Sequence, residues 1–175
     1  LYEDVISKHS NKPNSIKIIA PYYNKSGAFL QKLIDDLDPK EMHCVVDLTN
    51  GILPVDFKSI ICQFSGWGDV IKSDTSKSIQ RLHAKMIQIE YDEETVFILG
   101  SANATLEAYG LSNRGFKNDE AVITIKSKNP KDFLKELGVK IPKKGTLDIQ
   151  KTNNIDIEDS EQKKGLLKLI YVELS

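Results

Sequence analysis

The sequence has little of what marks a secreted scaffold, a thiolate metal centre or a membrane segment. It holds 2 cysteines in 175 residues, too few for a disulfide framework, and no CxxC pair that would suggest a metal site. Cys44 and Cys62 both sit in apolar runs, where a buried, reduced thiol is the ordinary state; this favours a reducing, cytoplasmic setting. No apolar run approaches the roughly 20 residues that a membrane-crossing helix takes, and no basic amphipathic helix stands out, so membrane insertion is not expected. The net charge is −1, which removes the general attraction to nucleic acid that a strongly basic domain has. The single tryptophan, Trp67, lies between Gly66 and Gly68 and reads as partly buried structure more readily than as a platform for a base.

What the chain does have is enough apolar material, 40% of its residues, for one domain with a real core. Residues 1–144 read as that domain. Residues 145–165 are polar and read as a linker, and 166–175 as the start of a further element or a terminal strand. Leu1 in the place of Met, and the apolar run at the other end, suggest a piece of a longer protein. Seven lysines between Lys126 and Lys144, against Asp132 and Glu136, read as a solvated face sooner than as a phosphate-binding patch.

Hydrophobic periodicity places the elements. Residues 15–20 form a β-rich run closed by Pro21, and 28–37 repeat apolar residues at helical spacing up to Pro39. Strands are expected at 42–48 and 59–64, a hairpin from 86–89 and 95–99 around the acidic turn 90–94, a helix over 104–110, a strand at 121–125 and a short helix over 131–137 that stops at Gly138. A plausible mobile loop covers 66–78. The class is α/β, a mixed and largely parallel sheet flanked by helices.

Of the three histidines, only His83 has chemical company. It heads a strand, and alternation puts Lys85 on its face. Ser101 and Asn103 follow the partner strand of the hairpin, and Glu120 begins the next strand. A phosphodiester needs a nucleophile, cationic and hydrogen-bonding groups for its oxygens, and a proton donor for the leaving oxygen. An imidazole, an ammonium, a hydroxyl and an amide supply these without a metal or cofactor. A carboxylate such as Glu120, on the far ring nitrogen of His83, would hold its tautomer.

In order, Arg81-Leu82-His83-Ala84-Lys85, then Gly100-Ser101-Ala102-Asn103, then Asp119-Glu120-Ala121-Val122 resemble the signature of the phospholipase D superfamily. The family pattern is HxK, an Asp after four intervening residues, GSxN, and a Glu in the next strand. The resemblance covers 82–125 directly, and residues 18–23 are similar to the first strand of such a domain. It implies a phospholipase D-like fold, with His83 as the nucleophile that forms a phosphohistidine. It also implies that Lys85, Ser101 and Asn103 bind the phosphate and that Glu120 orients the histidine. The family aspartate falls on Glu90, which reads as structural. Active members pair two such motifs, and neither His9 nor His43 has the residues to be the second. The resemblance therefore implies a homodimer with its two-fold axis at the site, or a matching half elsewhere in a longer protein.

The superfamily spans lipid and nucleic-acid phosphodiesters. With no membrane feature in the chain, the expected function is a metal-independent nuclease, acting on DNA sooner than RNA. The alternatives are a phospholipase or phosphatidyltransferase, and an inactive nucleic-acid-binding module.

Overall fold

β-branched residues at alternate positions build the first strand, β1 (Ser15–Ile19): Ile16 and Ile18 point to one face of the sheet and Lys17 and Ile19 to the other. In the computed structural model, which describes residues 1–6, 11–71, 81–112 and 119–154, five further strands join it. These are β2 (Glu41–Val46), β3 (Cys62–Gly66), β4 (Met86–Glu90), β5 (Thr95–Gly100) and β6 (Val122–Ser127). Their order across the single open sheet is β3-β2-β1-β4-β5-β6.

The expectation of a largely parallel sheet is corrected here. β1, β2 and β3 run parallel, but β4 is antiparallel to β1, and β5 and β6 continue antiparallel. Three of the five pairings are thus antiparallel. The reason is connectivity: the hairpin turn, closed by Tyr91 N–H donating to Glu94 O at 2.9 Å, forces β5 back along β4, whereas the β1–β2 pair has a helix to bring the chain round.

That helix, α2 (Ala28–Leu37), follows the one-turn α1 (Tyr2–Val5). It starts at Gly27, whose φ of 68° a side chain would strain and whose missing Cβ leaves room for Phe57. It ends at Asp38 in the left-handed region, directly before Pro39. Its apolar stripe, Phe29, Leu30, Leu33 and Leu37, is buried against Ile16, Ile18, Ile87, Val96 and Ile98 of the sheet. Truncating one such leucine to alanine costs on the order of 2–5 kcal/mol.

The other face carries a smaller core, with Ile19, Val45, Val70, Leu82, Phe97, Leu134 and Val139 buried. The short helices α3 (Trp67–Val70) and α4 (Phe133–Glu136) cover it. Trp67 packs, half-buried, against this core. Polar groups on the same face are paired. Lys17 Nζ donates to Glu90 Oε1 at 2.5 Å and to Asp132 Oδ2 at 3.4 Å, Ser15 Oγ donates to Glu90 Oε2 at 2.6 Å, and Asp132 accepts Lys135 N–H to cap α4.

Other expectations shift. Residues 104–110 are a series of turns with Gly110 at φ 72°, not a helix, because the Asn24 amide oxygen takes the Leu106 N–H at 3.0 Å. The third strand starts at Cys62, two residues past the fully exposed Ile60. The folded chain continues past 144: Leu147 N–H donates to Phe64 O at 3.0 Å, Ile149 is buried, and a 3₁₀ turn spans Lys151–Asn154. The rest of the expected linker, and 166–175, lie outside the described residues, as does most of the loop expected at 66–78. Cys44 and Cys62 are buried free thiols. No helix among the described residues is long and apolar enough to cross a membrane.

Candidate active site

The register brings the sequence-derived residues to one edge of the sheet. Ile19 at the end of β1 pairs with Met86 at the start of β4, Met86 with Leu99, and Gly100 with Val122. His83 and Lys85 therefore lie just before β4, Ser101 and Asn103 just after β5, and Glu120 just before β6. All five sit at the carboxyl end of the parallel strands, where β1 meets an antiparallel neighbour. Open α/β sheets offer binding crevices at such switch points.

His83 and Lys85 were expected at the head of the strand, and they form its lead-in, 81–85, where Gly100 N–H donates to Lys85 O at 3.2 Å. The alternation holds. Leu82, Ala84 and Met86 pack into the smaller core, which leaves Arg81, His83 and Lys85 on the opposite side of the chain, with the first two exposed and Lys85 half-buried.

Gly100 makes the next junction possible. A Cβ there would stand 2.8 Å from Val122 Cα and nearer still to the Ala121 carbonyl, so any side chain would part β5 from β6. With the strands this close, Ser101 N–H donates to Ala121 O at 2.9 Å, and Ala121 N–H donates to Ser101 Oγ at 3.0 Å. The Ser101 hydroxyl then donates to Glu120 Oε2. Asn103 is half-buried, and its Oδ1 is enclosed without a hydrogen-bond partner among the described residues. The loop is held from outside: Ala104 N–H donates to Tyr22 O at 3.2 Å, and Asn24 Nδ2 donates to Glu107 at 3.1 Å.

Electrostatics at this edge is one-sided. Lys85 Nζ donates to the His83 carbonyl at 2.9 Å, and among the described residues no carboxylate forms a salt bridge with Lys85 or Arg81. The Lys85 ammonium, above all, and then partial burial and Arg81 hold the His83 imidazole below its ordinary pKa. Burial lowers Lys85 as well; Glu120 pulls the other way and Arg81 adds a smaller downward push. A histidine so placed is neutral near pH 7, with a lone pair for attack.

Glu120 was expected on the far nitrogen of His83; its hydrogen bond goes to Ser101 instead, and its negative field adds to the burial that raises the Tyr109 hydroxyl. Glu90 stands at the opposite end of β4, paired with Ser15, which agrees with its reading as structural. His43 is remote in character: buried on β2, its Nε2 lies 2.8 Å from Ser65 Oγ. His9 lies outside the described residues. Among the described residues no three His, Cys, Asp or Glu side chains converge to hold a metal ion. The residue pattern did not single out Arg81 or Tyr22 for a role, although Arg81 keeps the same alternation as His83 and Lys85.

Comparison with protein-family models and with curated proteins finds no match.

Proposed function

We propose that the chain is a metal-independent phosphodiesterase of phospholipase D type, a nuclease that acts through a phosphohistidine on His83. The observation that carries the reading is the convergence of His83, Lys85, Ser101, Asn103 and Glu120 on one sheet edge, with an imidazole biased to its neutral form by an unpaired cation. A ring nitrogen of His83 attacks phosphorus, the bond to the leaving oxygen breaks with its electron pair, and that oxygen takes a proton from a second acid. Water then attacks the phosphohistidine, gives its proton to the same group, and releases a phosphomonoester as the P–N bond breaks. Lys85, the Ser101 hydroxyl and the Asn103 amide hold the non-bridging oxygens. Glu120 acts through Ser101 and offsets the positive charge of Lys85.

The second acid is the histidine of another copy, brought across a two-fold axis in a homodimer; the pair shares one proton, so that one imidazole attacks in the neutral form while the other donates. His43, enclosed beside Ser65, does not serve. DNA is the favoured substrate over RNA or phospholipid, with no helix among the described residues fit to cross a bilayer.

The deciding experiment incubates the protein with plasmid and oligonucleotide in excess chelator. Cleavage that persists, with a covalent phosphoprotein trapped on quenching and absent from His83→Ala, is the expected result. Absence of cleavage together with turnover of phosphatidylcholine micelles replaces the nuclease by a lipid phosphodiesterase. Binding of DNA unaffected by His83→Ala, with neither substrate turned over, replaces it by a binding module.

A further inference from the structure

Arg81 has no part in the chemistry above, yet it is built into the same edge. Leu82, Ala84 and Met86 anchor one side of the lead-in to the core, so Arg81, His83 and Lys85 emerge on the other side at every second residue. An extended chain advances about 3.3 Å per residue, and Arg81 thus stands about two residue steps, roughly 6–7 Å of chain, upstream of His83. That is on the scale of the repeat of phosphates along an extended nucleic-acid strand.

The guanidinium is also held. Its Nη2 donates to Tyr22 Oη at 3.3 Å, and Tyr22 is itself fixed because its carbonyl accepts the N–H of Ala104, next to Asn103. One residue at the exit of β1 therefore ties the arginine to the Ser101–Asn103 loop. No carboxylate among the described residues forms a salt bridge with this arginine, so of the two cations that flank the histidine Lys85 feels the field of Glu120 and Arg81 has no described acid against it. An exposed arginine with no acidic partner among the described residues, restrained by a neutral hydroxyl, is poised for an anion rather than for a salt bridge.

The geometry points to a second phosphate subsite at Arg81 and Tyr22, which takes the phosphate adjacent to the scissile one in a nucleic-acid strand. Arg81 donates to that phosphate while Lys85 and Ser101 hold the one that reacts. Arg81 is then a specificity residue: it favours a chain of phosphodiesters over an isolated diester, such as that of a zwitterionic phospholipid. This rests on the phosphodiesterase reading above for the location of the scissile phosphate.

The test is direct binding in the His83→Ala background, where ligands are not consumed. Two fluorescein-labelled dithymidines are titrated by anisotropy, one with only its internal phosphodiester and one with an added 5′-terminal phosphate. With Arg81 present, the second phosphate is expected to tighten binding about tenfold, the scale of one charge-assisted contact near a protein surface. In Arg81→Ala the two ligands bind alike, and Tyr22→Phe lowers the ratio to about threefold. A tenfold ratio that survives Arg81→Ala overturns the subsite, as do two ligands that already bind alike with Arg81 in place. Chelator-resistant cleavage of oligonucleotide combined with either of those outcomes leaves the nuclease standing and removes the subsite alone. Failure of both dithymidines to bind, with phosphatidylcholine turned over, removes both.

Discussion

The two ends of β4 treat charge in opposite ways. At its far end Glu90 accepts from Ser15, Lys17 and Gln88 at 2.5–2.6 Å, and Lys17 reaches on to Asp132 at the cap of α4. At the near end, among the described residues, Lys85 donates to the carbonyl of His83 and Arg81 to a tyrosine hydroxyl, and neither forms a salt bridge. The strand is the same and its neighbours are the same. One end closes its charges into a network that fastens a helix to the sheet; the other leaves cations and a neutral imidazole without a carboxylate bonded to them. The first arrangement contributes to stability, and the second is arranged for a ligand that brings its own negative charge.

Substitutions at the two ends are expected to separate activity from stability. His83→Ala has the largest expected effect: chelator-resistant turnover of oligonucleotide falls by a factor of about 10³ or more, while the thermal midpoint, read by circular dichroism, stays within a degree or so. Acid comes next, and it acts away from both ends. Burial, helped by Lys17, depresses His43 to about 4 from 6.5. The unfolded chain then binds the extra proton between those values, so the contribution of neutral His43 is complete above pH 6.5 and is lost as pH falls toward 4. Denaturation at stepped pH should register a loss of up to about 3 kcal/mol from this group, and His43→Gln should flatten that part of the profile.

Glu90→Gln is the smaller, reciprocal case. It weakens the hold on Lys17 and costs about 1–2 kcal/mol by chemical denaturation, with turnover retained at temperatures well below the midpoint. The smallest effect is a shift of the acid limb of kcat/KM in Arg81→Ala. Since Arg81 helps hold the His83 imidazole down, its removal lets that pKa rise and the limb moves to higher pH. A limb that stays where it was would detach Arg81 from the histidine.

The fold was legible where it is local. The bounds of α2 follow from apolar spacing and Pro39, and the β4–β5 hairpin from apolar runs around an acidic turn. What was not legible depends on partners far along the chain. The 104–110 segment has a helical composition, but Asn24, 82 residues away, takes its Leu106 amide. The direction of β4 against β1 is a pairing of strands far apart in sequence, which no local pattern carries. The same holds for the site. The order of His83, Lys85, Ser101, Asn103 and Glu120 is readable as a motif, and their common edge follows from register. The hydrogen bond of Glu120 to Ser101 and the tether of Arg81 to Tyr22, 59 residues upstream, needed the assembled sheet.

The seam between the parallel and antiparallel halves also has a consequence for the order of folding. The β4–β5 hairpin closes over the short turn 91–94, and such contacts form quickly; the other pairs close over longer connections, and β1 meets β4 only across two intervening strands of sequence. His83, Lys85 and Ser101 ride on this hairpin, and Glu120 joins them with β6. Tyr22 and Asn24, which hold the Asn103 loop from the end of β1, belong to the slower half. The candidate site is therefore among the last features to become rigid, although most of its residues lie in a segment able to form first.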